Sequence, residues 1–140
     1  MILVVDASVA TKWFFAEAGD QSAREIAEGE DVLIAPDLIV AEVCNSAWKK
    51  VARAEASADR AREVAIALPR IFRELVPGEA LAPRALDLAM VLRHPVYDCL
   101  YLALAELADG QLVTADKELA SVALRAGMLG KKIRFIGSEN

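Results

Sequence analysis

Histidine is almost missing from this chain and cysteine is scarce, with one His and two Cys in 140 residues. A tetrahedral zinc site draws on four nitrogen or sulfur ligands at close spacing. His94, Cys44 and Cys99 cannot supply one, which effectively excludes that chemistry. Nor do two cysteines make a disulfide framework, so a reduced, cytosolic setting is the expectation. Long hydrophobic runs are lacking too. The longest plainly apolar segments, such as Cys99–Ala105, fall far short of the ~20 residues a membrane span needs. The first six residues have no basic stretch and carry Asp6 within the apolar run, so no secretory signal is expected. Repeats, low-complexity tracts and long linkers are all absent.

What the chain has is apolar bulk of a particular kind. Hydrophobic residues make up 56%, yet 27 of them are alanine, which reads as helix filler rather than membrane surface. That content excludes disorder. Sixteen basic against twenty-one acidic residues leave a net charge of −5. One soluble, cytoplasmic domain over residues 1–140, with no membrane contact, is the expectation.

Short apolar, β-branched runs alternate with helical periodicity, the pattern of an α/β fold around a mostly parallel five-stranded sheet flanked by helices. Strands are expected at Ile2–Val5, Val32–Ala35, Phe72–Val76 (near an edge), Leu112–Thr114 and Ile133–Ile136. About six helices are expected. One spans Leu38–Arg53, with Val40, Val43, Cys44, Ala47 and Val51 as its apolar stripe. A second starts at a Ser57 cap and stops at Pro69. Others cover Leu81–Leu92, Tyr97–Ala108 (ended by Asp109-Gly110) and Lys117–Ala126.

Ligands of open α/β sheets bind beyond the carboxyl ends of the strands. Asp6 directly follows the first strand, and Asp116 lies two residues past Thr114 at the end of a later one. Asp98 falls in the first turn of a helix, and Glu42 about one turn into another. On that helix Leu38, Glu42, Asn45 and Lys49 share a face. Asp98 and Asp116 could be ordinary helix caps, and Glu42 an amphipathic-boundary residue. An acid ending a buried central strand, by contrast, has little evident structural task. Four converging carboxylates would repel one another and push protons onto one another, raising their pKa. A divalent cation relieves that, and an all-oxygen donor set suits Mg²⁺ or Mn²⁺. Such sites serve metal-assisted phosphoryl chemistry, in which the ion activates water and stabilises an in-line transition state.

Four blocks carry a resemblance. Val4-Val5-Asp6-Ala7-Ser8-Val9-Ala10-Thr11-Lys12-Trp13-Phe14, Pro36–Asn45 around Glu42, Tyr97–Glu106 around Asp98, and Leu112-Val113-Thr114-Ala115-Asp116 are together similar to PIN-domain proteins, specifically the VapC-type toxins of bacterial toxin–antitoxin pairs. Order, spacing and total length agree from end to end. The resemblance implies a PIN-like fold and a Mg²⁺-dependent endoribonuclease, with Mn²⁺ able to substitute. Asp6, Glu42, Asp98 and Asp116 would be the catalytic quartet, with Asp6, Asp98 and Asp116 as metal ligands. It also implies an RNA substrate, a cognate VapB-type antitoxin in the active-site groove, and a homodimer. Cys99 departs from the family, where a smaller residue is commoner.

Ser8 and Thr114 match family positions whose hydroxyls flank the acids and orient carboxylates or water. Locally, Ser8 could instead cap a helix and Thr114 be a plain strand residue. Lys12 could contact a phosphate or stay solvated, and Asn45 could bond Glu42 or RNA. Trp13 and Trp48 read as core or dimer-surface aromatics. His94 is tempting as a general base, although metal-activated water needs none. Cys44 and Cys99 read as packing. Residues 49–73 hold seven basic and three acidic side chains, a local excess of +4 in an acidic protein, suited to RNA or an acidic partner. Two rivals stand beside the nuclease. A phosphatase with a nucleophilic strand-end aspartate would want a second acid at position 8, which is serine. A non-catalytic PIN-like module would bind RNA or a partner without turnover.

Overall fold

A strand covered on both faces must be apolar throughout. β1 (Ile2–Val5) meets this demand, with Leu3, Val4 and Val5 fully buried. In the computed structural model, which describes residues 1–128 and 130–137, β1 is the central strand of five. A short helix α1 (Ala7–Ala10) and a 3₁₀ turn (Thr11–Trp13) follow it, then α2 (Asp20–Glu28), β2 (Val32–Pro36), α3 (Leu38–Ala52) and α4 (Ala58–Ile71). β3 (Glu74–Val76), α5 (Gly78–Leu92), α6 (Val96–Ala108), β4 (Gln111–Thr114) and α7 (Lys117–Arg125) come next. A 3₁₀ turn (Gly130–Lys132) and β5 (Ile133–Phe135) complete the order.

The strand order is β3-β2-β1-β4-β5, and every neighbouring pair is parallel. Leu3 is in register with Leu33 on one side and Gln111 on the other. The chain thus winds outward from β1 through β2 to β3, then crosses back to β4. The strand order reverses between β1 and β4, and such a reversal opens a crevice at the carboxyl edge. α6 packs across β1, β2 and β4 and is buried over most of its length, from Cys99 to Ala105. α5 packs on α6, and α3 on α4. Each large apolar side chain withdrawn from water here contributes roughly 1.5–3 kcal/mol.

Several expectations shift. The sheet is wholly rather than mostly parallel, and β3 is indeed an edge strand. α4 does not stop at Pro69 but runs to Ile71. A proline in a last turn removes one backbone hydrogen bond and leaves the bonds before it intact. α5 begins at Gly78, a turn earlier than expected, where the Gly78 N–H donates to Asp37 Oδ1 at 3.1 Å. The buried stripe of α3 is Ile39, Val43 and Ala47, with Val40 and Cys44 only half-buried. α2 carried almost no sequence signal, because only Ala23 and Ile26 anchor it. The Trp13 indole N–H donates to Ala23 O at 2.7 Å and its ring packs on Phe72. Trp13 is therefore a packing residue, while Trp48 is exposed. No single helix among the described residues is long and apolar enough to cross a membrane.

Candidate active site

Asp6 ends β1 at the strand reversal and is almost wholly buried, with 4% exposure. It has a structural task that the sequence hid, as the N-cap of α1. Its Oδ1 accepts the Val9 N–H at 3.1 Å and the Ser8 hydroxyl at 2.6 Å. Its Oδ2 accepts the Thr114 hydroxyl at 2.5 Å from the end of β4. Each hydroxyl donates its single proton to Asp6 and accepts a backbone N–H from the turn after β4. Ser8 Oγ takes Ala115 N–H at 2.9 Å and Thr114 Oγ1 takes Asp116 N–H at 3.0 Å. Ser8 is therefore not the helix cap, and Thr114 is more than a strand residue. Together they tie the two turns across the crevice. Burial still pushes the Asp6 carboxyl up to about 6, against its three donors, and the Asp116 charge adds to the rise. Asp116 caps α7, accepting Glu118 N–H on Oδ1 at 2.9 Å.

The other two acids ride on helices. Burial raises the Glu42 carboxyl and the Asp98 charge adds to it, while a 2.6 Å hydrogen bond from the Tyr101 hydroxyl opposes the rise. Asp98 Oδ2 lies 2.7 Å from His94 Nε2, on a ring held just before α6 and 8% exposed. Burial holds the Tyr101 phenol well above its ordinary value, aided by the charges of Glu42, Asp6 and Asp98. Tyr101 thus sits in the field of three acids as a protonated donor. Sequence reading left it unnamed, although its spacing of three from Asp98 puts both on one helix face. His94 contacts Asp98 rather than standing free. Cys99 is fully buried beside Asp98, and burial raises its thiol first, with the Asp98 charge second.

The charges of all four acids are therefore felt at one edge of the sheet, in the linked pairs Asp6–Asp116 and Glu42–Asp98. No three His, Cys, Asp or Glu side chains among the described residues are set to enclose a metal ion. A divalent cation still suits what is present. The donors are carboxylate oxygens alone, and burial raises two of the acids, with a neighbouring carboxylate adding to each rise. Asp98 Oδ1, Glu42 Oε2 and Asp116 Oδ2 accept no hydrogen bond among the described residues. Magnesium commonly takes one or two carboxylates and keeps several waters.

A groove of about 520 Å³ is lined by Ser8 and by Glu42, the one member of the acidic quartet in its walls, together with Lys12, Asn45, Lys49 and Lys50. The shared face of Glu42, Asn45 and Lys49 on α3 lines it as the spacing predicted. Lys12 is not simply solvated: its Nζ donates to Ala18 O at 2.7 Å. The basic stretch divides. Arg60 and Arg62 pair within α4 with Glu63 and Asp59, whereas Lys49, Lys50 and Arg53 face the groove.

The fold is that of a known class: the PIN domain family matches residues 3–124, most of the length, and the chain belongs to that family. Two similar relatives are named as VapC ribonucleases. Ribonuclease VapC3 of Pyrobaculum aerophilum is 34% identical over 123 residues, covering 86% of this chain and 93% of the relative. Ribonuclease VapC1 of Mycobacterium tuberculosis is 35% identical over 123 residues, covering 84% of this chain and 88% of the relative. The crystal structure of PAE2754 from Pyrobaculum aerophilum superposes with a TM-score of 0.66 at 21% identity, over 92% of this chain and 91% of that one, and shares the fold.

Proposed function

We propose that this chain is a metal-dependent endoribonuclease, the toxin of a type II toxin–antitoxin pair. The observation that carries this reading is a set of four mutually interacting acids near the strand reversal, one of which, Glu42, lines a groove walled by basic residues. Kinship with relatives named ribonuclease VapC supports it. Asp6, Asp98 and Asp116 hold Mg²⁺, with Mn²⁺ able to substitute, and Glu42 completes the catalytic set. The bound ion would supply activation of water and charge stabilisation at the phosphorus. The protein does the rest by positioning. Ser8 and Thr114 fix the Asp6 carboxylate, His94 aims Asp98, and Tyr101 holds Glu42. Lys12 and Asn45 lie along the path of the RNA backbone. A cognate VapB-type antitoxin covers the groove, the chain works in the cytoplasm, and two copies form a homodimer.

Incubating the purified, antitoxin-free protein with total cellular RNA tests this, with Mg²⁺, Mn²⁺ or chelator and beside Asp98→Asn. Discrete, metal-requiring cuts are expected, with 5′-phosphate ends. Asp98→Asn should cut about 10²–10³-fold more slowly at an unchanged melting temperature. An undiminished rate in that variant, or cuts that persist in chelator, would sink the assignment. The open arrangement of the acids favours one rival, a PIN-like module that binds without cutting. RNA binding without turnover at saturating Mn²⁺ would select it.

A further inference from the structure

The groove contains an acid that the quartet does not use. Glu17 lies on the segment between the 3₁₀ turn and α2, and its carboxylate reaches into the groove. Its Oε2 is 3.4 Å from Lys12 Nζ and its Oε1 is 3.3 Å from Lys50 Nζ, one oxygen for each ammonium. Resting on the ribonuclease reading, we infer that Glu17 is an internal stand-in for an RNA phosphate, and that Lys12 and Lys50 form a backbone-phosphate subsite which the free chain keeps closed to substrate.

Four features carry this. Both contacts are longer than the 2.7–2.9 Å typical of a strong charge-assisted hydrogen bond. The three side chains are only part-buried, and such pairs exchange partners cheaply. The two lysines come from different elements, the turn after α1 and the end of α3, and converge on one two-oxygen anion, as they would on the non-bridging oxygens of a phosphodiester. Each also has a separate anchor that outlasts the loss of Glu17. Lys12 donates to Ala18 O at 2.7 Å, while Lys50 lies 5.2 Å over the Phe15 ring and 3.8 Å from Glu55. The cations therefore stay in the groove when Glu17 leaves. The backbone around Glu17 is held as well: its carbonyl accepts Asp20 N–H at 3.1 Å, and Gly19 takes the left-handed conformation, φ +82°, that the turn into α2 requires. Only the carboxylate needs to swing. Lys49 and Arg53 line the same groove without an ion-pair partner among the described residues, and they extend the cationic track away from the acids.

The test is binding of a single-stranded oligoribonucleotide in chelator, where nothing is cut, to wild type, Glu17→Gln and Glu17→Gln/Lys50→Gln. Glu17→Gln should bind about three- to tenfold tighter at low salt, the scale of two partly solvated ion pairs released. The double variant should lose that gain, and its salt slope should fall by about 0.7, one single-strand phosphate contact. Glu17→Asp, too short to reach both lysines, should already bind RNA more tightly than wild type and guards against a Gln variant that folds poorly. RNA binding by Glu17→Gln no tighter than wild type, at an unchanged melting temperature, overturns the inference and makes Glu17 a structural clamp. An equal gain for poly-glutamate of matched charge also overturns it, in favour of an acidic protein segment as occupant. Failure of the ribonuclease reading itself looks different: either no protein, wild type included, binds RNA, or all bind it and none cuts it at saturating Mn²⁺.

Discussion

The two halves of the acidic edge are built on different principles. Asp6 and Asp116 stand where strands end, and each caps the helix that follows, so backbone topology dictates their positions. Glu42 and Asp98 stand on helix faces, each held by a single side-chain contact, from Tyr101 and His94 respectively. Asp6 accepts three hydrogen bonds and is nearly sealed from water, whereas Glu42 and Asp98 keep partial contact with solvent. Strand-end acids double as parts of the scaffold, and perturbing them should register in stability. The helix-borne acids are separable from the fold, and perturbing them should register in activity.

The sharpest way to break this contrast is pH. Burial raises Asp6 from 3.8 to about 6, so between those values the folded chain keeps a proton that the unfolded chain has released. Stability from this group is therefore greatest below pH 4, falls as pH rises to 6, and is level above. The loss is on the order of 3 kcal/mol. Urea titrations at pH 4 and pH 7 should show this loss in wild type but not in Asp6→Asn. Parallel pH profiles in the two proteins would mean that another acid governs the edge.

A smaller effect is expected from Thr114→Val, which keeps shape but leaves Asp6 Oδ2 and the Asp116 N–H without their shared hydroxyl. The variant should lose about 1–3 kcal/mol in denaturant unfolding. Tyr101→Phe is the counterpart on the helix side. Glu42 can turn to water there, so the stability loss should stay near or below about 1 kcal/mol. Activity should nevertheless fall about 10–100-fold, the usual cost of removing a partner that orients a functional carboxylate. An RNA-cleavage assay beside the unfolding curve separates the two. If Tyr101→Phe costs as much stability as Thr114→Val, the division between scaffold acids and separable acids is wrong.

Much of this was legible in the chain. β1 and β2 declared themselves because strands buried on both faces tolerate only apolar side chains, and the break at Asp6 then marked a strand end. α6 ended where Asp109-Gly110 said it would. The α3 stripe was misjudged because Ile39 and Val40 are equally apolar, and only the packing partner chooses which faces inward. α2 escaped notice because two small anchors make no stripe.

By itself the sequence determined the five strands, the long helices between them, a largely parallel sheet and the positions of four acids along the chain, since those follow from local periodicity and from where apolar runs stop. Tertiary structure alone decided what surrounds each acid. The Thr114 hydroxyl lies 108 residues from Asp6 along the chain, and the Tyr101 hydroxyl 59 from Glu42. Glu17 meets Lys50 only because α3 folds back beside the turn after α1. Hydrogen bonds and burial act through space at a few ångströms, and no local pattern records which distant side chain will close that gap.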